Sequence, residues 1–284
     1  MKKQVFYFLT ILLLPAILLS ACAANSSIET RHDTAAGIAA SAGMTERVLQ
    51  SGIFNLTAWE RVQQPGAVAD IYIEGDGLAW VSKYRASMNP TPPDPLALHL
   101  AAEDKISNVI YIARPCQYTG WTGEGACPDL YWTTGTAAPE VIAAYEQALS
   151  GIKTRTQVTG FNLIGYSGGA AIAVLVASKR SDVLSIRTVA GNTDYAAFTA
   201  VHEVSPIKDS IDPATAAALD SHIPQQHFIG ENDKVVPRDV FEGWKQASGA
   251  TNCVHATIVP GNTHEKGWAE KWPELLSQPV TCTP

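Results

Sequence analysis

No two of the 5 cysteines in this sequence form a Cys-x-x-Cys pair. Structural zinc sites are built from such close pairs, so their absence argues against a metal centre. Basic runs are missing as well: 20 Lys and Arg stand against 27 Asp and Glu, a formal charge of −7. Nucleic-acid binding needs a basic patch or stripe, so no nucleic-acid partner is expected, whereas small substrates remain open. There are no internal repeats, and the single biased stretch is Ser/Ala/Thr-rich, from Asn25 to about Ala42. Solenoid architectures are thereby excluded.

What is present begins with a leader. Lys2 and Lys3 precede an apolar run, Val5 to Leu19, that ends in small residues, the layout of a secretory signal. As a membrane span the run is too short, since about 15 apolar residues interrupted by Pro15 fall below the roughly 20 required. Leu19-Ser20-Ala21-Cys22 resembles the lipobox of bacterial lipoproteins at all four positions. The resemblance implies that residues 1–21 are a lipoprotein signal peptide and that Cys22 becomes the first residue and carries lipid (palmitate). The protein is then held in the bacterial cell envelope. Ala23 rather than Asp after the cysteine implies the periplasmic face of the outer membrane in a Gram-negative source. At about 0.8 kcal/mol per buried methylene, two or more acyl chains anchor stably. Residues 22–45 read as a tether, mostly unstructured. Cleavage before Cys22 leaves 263 residues, enough for one large domain, 46–284, with a sizeable core. A monomer is expected.

An odd cysteine in an exported chain calls for an explanation, and lipidation of Cys22 supplies it. Of the other four, Cys116 and Cys127 bracket a short Gly-rich loop, while Cys253 and Cys282 would tie the C-terminal tail to a strand. Two disulfides, Cys116–Cys127 and Cys253–Cys282, are therefore predicted, each closing a loop worth about 3 to 4 kcal/mol.

Within the domain, Val48 to Val62 contains alternating segments and reads as opening antiparallel strands, followed by a central strand, Ala69 to Ile73. Asn108 to Ala113 is strongly apolar, the pattern of a buried parallel strand. Further strands are expected at Phe161 to Ile164, Leu184 to Val189, Gln226 to Ile229 and Val254 to Val259. Helices are expected at Leu96 to Glu103, Val141 to Ile152, Gly168 to Lys179, Val240 to Ala247 and Trp268 to Leu276. Strands alternating with helices predict an α/β fold, a mainly parallel, doubly wound sheet flanked by helices. The strand pattern disappears between Thr193 and Ile223, and 193–223 reads as a cap-like insertion over the strand ends.

One pentapeptide centres the pattern. Gly165-Tyr166-Ser167-Gly168-Gly169 follows an apolar strand and opens a small-residue helix, Ala170 to Ala177. Gly-x-Ser-x-Gly in that context has the form of a nucleophile elbow. Gly165 and Gly169, lacking Cβ atoms, let strand and helix approach around a strained serine. The bare pattern arises by chance about 0.1 times in a chain of this length, so the partners decide.

A serine needs a general base that is itself oriented by a third group. His227 and His255 lie inside predicted strands, His32 in the tether and His99 on a helix. His264 falls in a loop just past the last strand, where catalytic groups collect in open α/β sheets. Asp233 ends Gly230-Glu231-Asn232-Asp233, again just past a strand, with Glu231 and Asp194 as alternative acids. The succession Ser167, Asp233, His264 is the order expected on such a fold.

The pentapeptide, the Asp233 loop and His264 together resemble the α/β-hydrolase superfamily over nearly all of the mature domain. The resemblance implies an α/β-hydrolase fold, no cofactor, and a small-molecule ester as substrate. Ser167 would be the nucleophile, His264 the base and then the acid, and Asp233 the group that orients the imidazole. One oxyanion donor would be the Gly168 N–H; the second would be the Asp76 N–H, with Gly77 the alternative. Glu74 and Asp76 are a departure, since many relatives have His in this stretch, and acidic groups there oppose catalysis unless they point away. The loop with Arg114, Tyr118 and Trp121 is expected to shape the substrate pocket. A serine peptidase or amidase of the same fold is the rival enzyme, and a non-catalytic envelope binding protein the rival of another class.

Overall fold

A computed structural model describes residues 28–119 and 127–283. In chain order it contains α1 (Ile28–Ser41), β1 (Thr45–Ser51), β2 (Phe54–Val62), β3 (Ala69–Ile73), β4 (Trp80–Ser82), β5 (Arg85–Ala86), α2 (Leu96–Glu103) and β6 (Asn108–Ile112). Then follow α3 (Pro139–Thr156), β7 (Phe161–Tyr166), α4 (Gly168–Ala177), β8 (Val183–Val189), α5 (Tyr195–Val201) and α6 (Ala217–Asp220). The chain closes with β9 (Gln225–Gly230), α7 (Arg238–Ala247), β10 (Val254–Val259) and α8 (Trp268–Leu276).

The main sheet has 8 strands in the order β1-β2-β6-β3-β7-β8-β9-β10. β1 and β2 pair antiparallel, β2 runs antiparallel to β6, and all pairs from β6 to β10 are parallel. From β3 the chain first moves to β6 on one side and then to β7 on the other, so a crevice opens at the carboxyl ends of β3 and β7. β3 and β6 are buried throughout; β6 reads as an apolar run after Asn108, while β3 carries a buried Asp70 whose carboxyl accepts from Asn162 Nδ2 at 2.7 Å. Period-two alternation still sorts their side chains. Ile71 and Ile73 face the layer of α3, α4 and Trp244 of α7, while Tyr72 faces that of α1, α2 and α8.

The expected tether is corrected over 28–41, which is helical. Ala35 and Ala39, one turn apart, are fully buried beside α2. The segment has no broad apolar stripe because alanine, the strongest helix former, lets the helix approach closely without one. Residues 22–27, Cys22 among them, and the signal segment lie outside the described residues. Of the expected insertion 193–223, α5 brings Phe198 to the crevice, but Ala216 and Ala217 belong to the core. The small hairpin β4–β5 was not foreseen. Both disulfides, Cys116–Cys127 and Cys253–Cys282, are formed.

At the end of α6, Asp220 is fully buried and neither carboxyl oxygen has a partner among the described residues. Burial pushes this carboxyl up to about 8 from 3.8. Between those values the folded chain keeps a proton that the unfolded chain has lost, so stability falls as pH rises through that window. Asp220→Asn should therefore melt several degrees above the wild type at about pH 8.5 and converge with it near pH 4.5. A melting difference that does not change with pH would contradict this.

Candidate active site

β7 delivers Ser167 to the turn before α4 with φ 49 and ψ −120, a conformation that side-chain-bearing residues rarely adopt. Its surroundings enforce it. A Cβ on Gly165 would lie 2.5 Å from Ala170 Cα, and one on Gly169 would collide with the Ile73 and Glu74 carbonyls. Ser167 N–H donates to Val189 O at 3.0 Å, and its carbonyl accepts from Asn192 N–H at 3.0 Å, which ties the turn to β8 and the loop after it. The hydroxyl stands at the top of the sheet, in the crevice.

The structure brings the three sequence candidates together. His264 Nε2 is 3.0 Å from Ser167 Oγ, and His264 Nδ1 is 2.9 Å from Asp233 Oδ2. Because the carboxylate accepts, Nδ1 carries the proton and Nε2 is free to accept from the serine hydroxyl. The other Asp233 oxygen accepts from Val235 N–H and Val236 N–H, each at 2.8 Å. This fixes the carboxylate, whose side chain is 0% exposed; that of His264 is 13% exposed. The alternative acids are occupied elsewhere: Glu231 accepts from Gly261 N–H, and Asp194 caps α5 at Ala197 N–H. His32, His99, His202 and His255 have other partners, in Glu46, Asp94, Val235 O and Asn252 O. His227 is held by Thr188 and Gln225 and pushed by burial down to about 3, so it is neutral.

The acidic loop after β3 resolves into two different roles. Glu74 points into the domain, where its carboxyl accepts from Gly75 N–H at 2.9 Å and Tyr111 O–H at 3.1 Å and faces the start of α2 at Ala97 N–H, 3.4 Å away. Burial pushes it up to about 7 against those hydrogen bonds. Asp76 instead stands directly against the elbow, its carboxylate filling the space a Cβ on Gly168 would take. Arg114 Nη1, from the loop after β6 and itself buried, donates to Asp76 Oδ1 at 2.9 Å. Gln117 Nε2 donates to Gly75 O at 3.0 Å and completes the brace.

Gly168 opens α4, so its N–H has no carbonyl one turn back, and the N–H groups of Asp76 and Gly77 have no acceptor among the described residues. Of the two residues, Asp76 reaches the elbow with its side chain, which packs against Gly168. Gly77, at φ 65, is needed where the loop passes the Pro90 carbonyl.

A cavity of about 530 Å³ opens over this array, with Ser167, His264, Asp76 and Gly77 in its wall and Trp80, Phe198 and Val235 among its apolar lining. Of the loop expected to shape the pocket, Arg114 and Tyr118 are not part of that wall, a correction for these two residues. Arg114 braces Asp76, and Tyr118 packs edge-on against Trp59, ring centroids 5.1 Å apart. Trp121 lies outside the described residues.

Two side chains that position His264 had not been singled out. Trp268 Nε1 donates to Thr263 O at 2.9 Å and His264 O at 3.0 Å, and the Tyr166 ring lies 5.4 Å from the imidazole. Their signals were a buried aromatic four residues past the histidine and the variable position of the Gly-x-Ser-x-Gly motif. Among the described residues no group of three or more His, Cys, Asp or Glu could hold a metal ion.

Removing the Arg114 charge should leave the Asp76 carboxylate uncompensated beside the elbow. If the site hydrolyses an ester, Arg114→Met is expected to lower kcat on a short ester about tenfold to a hundredfold with KM little changed, and Arg114→Lys to restore part of the loss. Steady-state kinetics at matched thermal stability decide it; an unchanged kcat for Arg114→Met would mean that the Arg114–Asp76 pair plays no part in turnover.

No protein-family model matches the chain, and no curated protein matches it in sequence. Solved structures do resemble it. An alpha-beta serine hydrolase homologue from Coxiella burnetii superposes with a TM-score of 0.53 at 15% identity, covering 81% of this chain and 93% of that one. An esterase from Pyrococcus furiosus gives 0.57 at 12% identity, covering 82% and 89%. An acylaminoacyl peptidase from Pyrococcus horikoshii gives 0.55 at 13% identity, covering 81% of this chain but only 38% of its own. The chain has the α/β-hydrolase fold.

Proposed function

We propose that this protein is a serine hydrolase that cleaves a carboxylic ester through an acyl-enzyme. The observation that carries the proposal is the hydrogen-bonded line Ser167–His264–Asp233, with its strained serine, in the wall of the cavity. In this reading Ser167 Oγ attacks the ester carbonyl as His264 Nε2 takes its proton, and the Asp233 carboxylate stabilises the imidazolium. The oxyanion is held by the N–H groups of Gly168 and Asp76. Collapse expels the alcohol, which takes the proton from His264, and water then enters by the reverse sequence to release the acid. Arg114 serves this chemistry by neutralising Asp76, and Glu74 by pointing away.

The N-terminal residues support a location. With Cys22 in a lipobox-like sequence, the enzyme is held by lipid in the cell envelope, on the periplasmic face of the outer membrane. Incorporation of labelled palmitate into the full chain, lost in Cys22→Ala, would accord with that; equal incorporation would rule it out.

Matched ester and amide substrates with the same acyl group test the proposed activity. Faster release of alcohol than of amine is expected. Preferential amide cleavage would favour a peptidase or amidase, and turnover of neither would favour a binding protein.

A further inference from the structure

The hairpin β4–β5 stands beside the cavity mouth and concentrates exposed apolar and basic side chains. Trp80, Val81 and Tyr84 are exposed, Tyr84 by 86%, and Trp80 also lines the cavity. The turn carries Lys83 and Arg85, both exposed, with Lys83 Nζ 5.8 Å from the centre of the Tyr84 ring. From Leu78 to Pro93 the sequence has no acidic residue, in a chain whose formal charge is −7. Val235 forms an exposed apolar edge in the cavity wall, with basic Lys234 next to it in sequence and also exposed. His202, at the end of α5, bonds the Val235 carbonyl at 2.7 Å, and Val201 beside it is exposed too. Exposed aromatic and aliphatic side chains interspersed with Lys and Arg are the composition of a surface that enters the headgroup layer of a bilayer. Two acids at the mouth, Asp94 and Glu265, oppose anionic headgroups, and Asp94 is bonded to His99.

The N-terminal helix gives this surface its occupant. Arg31, in the first turn of α1, donates to Asn89 O at 3.2 Å and Thr91 O at 2.7 Å, in the stretch that directly follows the hairpin. The start of α1 and the hairpin therefore lie at the same end of the domain. Only residues 23–27 separate Cys22 from Ile28, a reach of at most about 20 Å. A lipid on Cys22 would keep this end of the molecule near the membrane.

We propose that the hairpin β4–β5 docks on an anionic lipid bilayer and holds the cavity mouth against it, so that the ester reaches Ser167 from the lipid phase. The substrate class is then a membrane-borne acyl ester, an inference that rests on the hydrolase reading above. Tyr84 and Val81 enter the headgroup layer, and Lys83 and Arg85 meet the anionic headgroups, each worth roughly a few-fold in binding.

The test uses the full lipidated chain and the variant Lys83→Glu/Tyr84→Ser, neither residue being part of the cavity wall. Two readouts are taken on phosphatidylglycerol-containing and pure phosphatidylcholine vesicles: amide exchange over residues 80–86, and hydrolysis of a long-chain ester dissolved in the vesicles, against soluble p-nitrophenyl acetate. Expected are protection of the hairpin by anionic vesicles and a loss of vesicle hydrolysis of about tenfold or more in the variant, with the soluble ester turned over within about twofold of wild type. Equal vesicle hydrolysis with an unprotected hairpin would overturn the docking while leaving the hydrolase reading intact. Loss on both substrates would make the hairpin part of the cavity, and protection without vesicles that grows with protein concentration would make its partner a second copy; either overturns the proposal. Hairpin protection in a wild type that cleaves neither ester would keep the docking and reject the hydrolase.

Discussion

Ser167→Ala should lower kcat for a short ester by about 10⁴ to 10⁶-fold while leaving KM within a few-fold of wild type. The magnitude follows from what remains. The Gly168 and Asp76 N–H groups and the cavity wall survive the substitution, so binding and oxyanion stabilisation persist, but no group is left to form the acyl-enzyme. Alanine also relaxes nothing nearby, because the turn is set by Gly165 and Gly169 against β3 and α4 rather than by the hydroxyl. The variant should therefore melt close to the wild-type temperature, since alanine keeps the Cβ and with it the strain of a φ of 49. Stopped-flow or long-term steady-state assays measure the loss; a decrease of less than about a hundredfold would point to a reacting group other than Ser167.

Asp233→Asn is expected to lower kcat by about 10⁴-fold. The asparagine would still accept from Val235 and Val236 N–H through its oxygen, so its amide nitrogen would face His264 Nδ1. Two donors cannot meet, and the imidazole is driven to the tautomer with its proton on Nε2, where it can no longer take one from Ser167. The imidazolium also loses its counter-charge. By contrast Glu231→Gln and Asp194→Asn should each stay within about threefold of wild type, because those carboxyls serve Gly261 and the start of α5. If Glu231→Gln were as damaging as Asp233→Asn, the acid would be misassigned.

The fold was legible where burial leaves a simple mark. β6, covered on both faces, reads as a short apolar run, β3 and β7 interrupt theirs only at Asp70 and Asn162, and the alternation of strands with helices predicts the parallel sheet. Ser167, Asp233 and His264 could be picked out because each follows a strand end, and topology gathers strand ends at one edge of the sheet. Three features left no such mark. α1 buries itself through Ala35 and Ala39, residues too small to give an apolar period. The Asp76–Arg114 pair joins positions 38 residues apart, from two separate loops, and nothing local announces it. The third is the opposite orientation of Glu74 and Asp76, two residues apart, which depends on whether Tyr111 and α2 or Arg114 stands behind each carboxyl.

The central claim is that Ser167 is the activated nucleophile, and the most direct measurement is mass spectrometry after treatment with a fluorophosphonate. One adduct is expected, on the peptide carrying Ser167, formed rapidly in the wild type, at least about a hundredfold more slowly in His264→Ala, and absent in Ser167→Ala. A wild type that stays unmodified, or an adduct on any other serine, would contradict it.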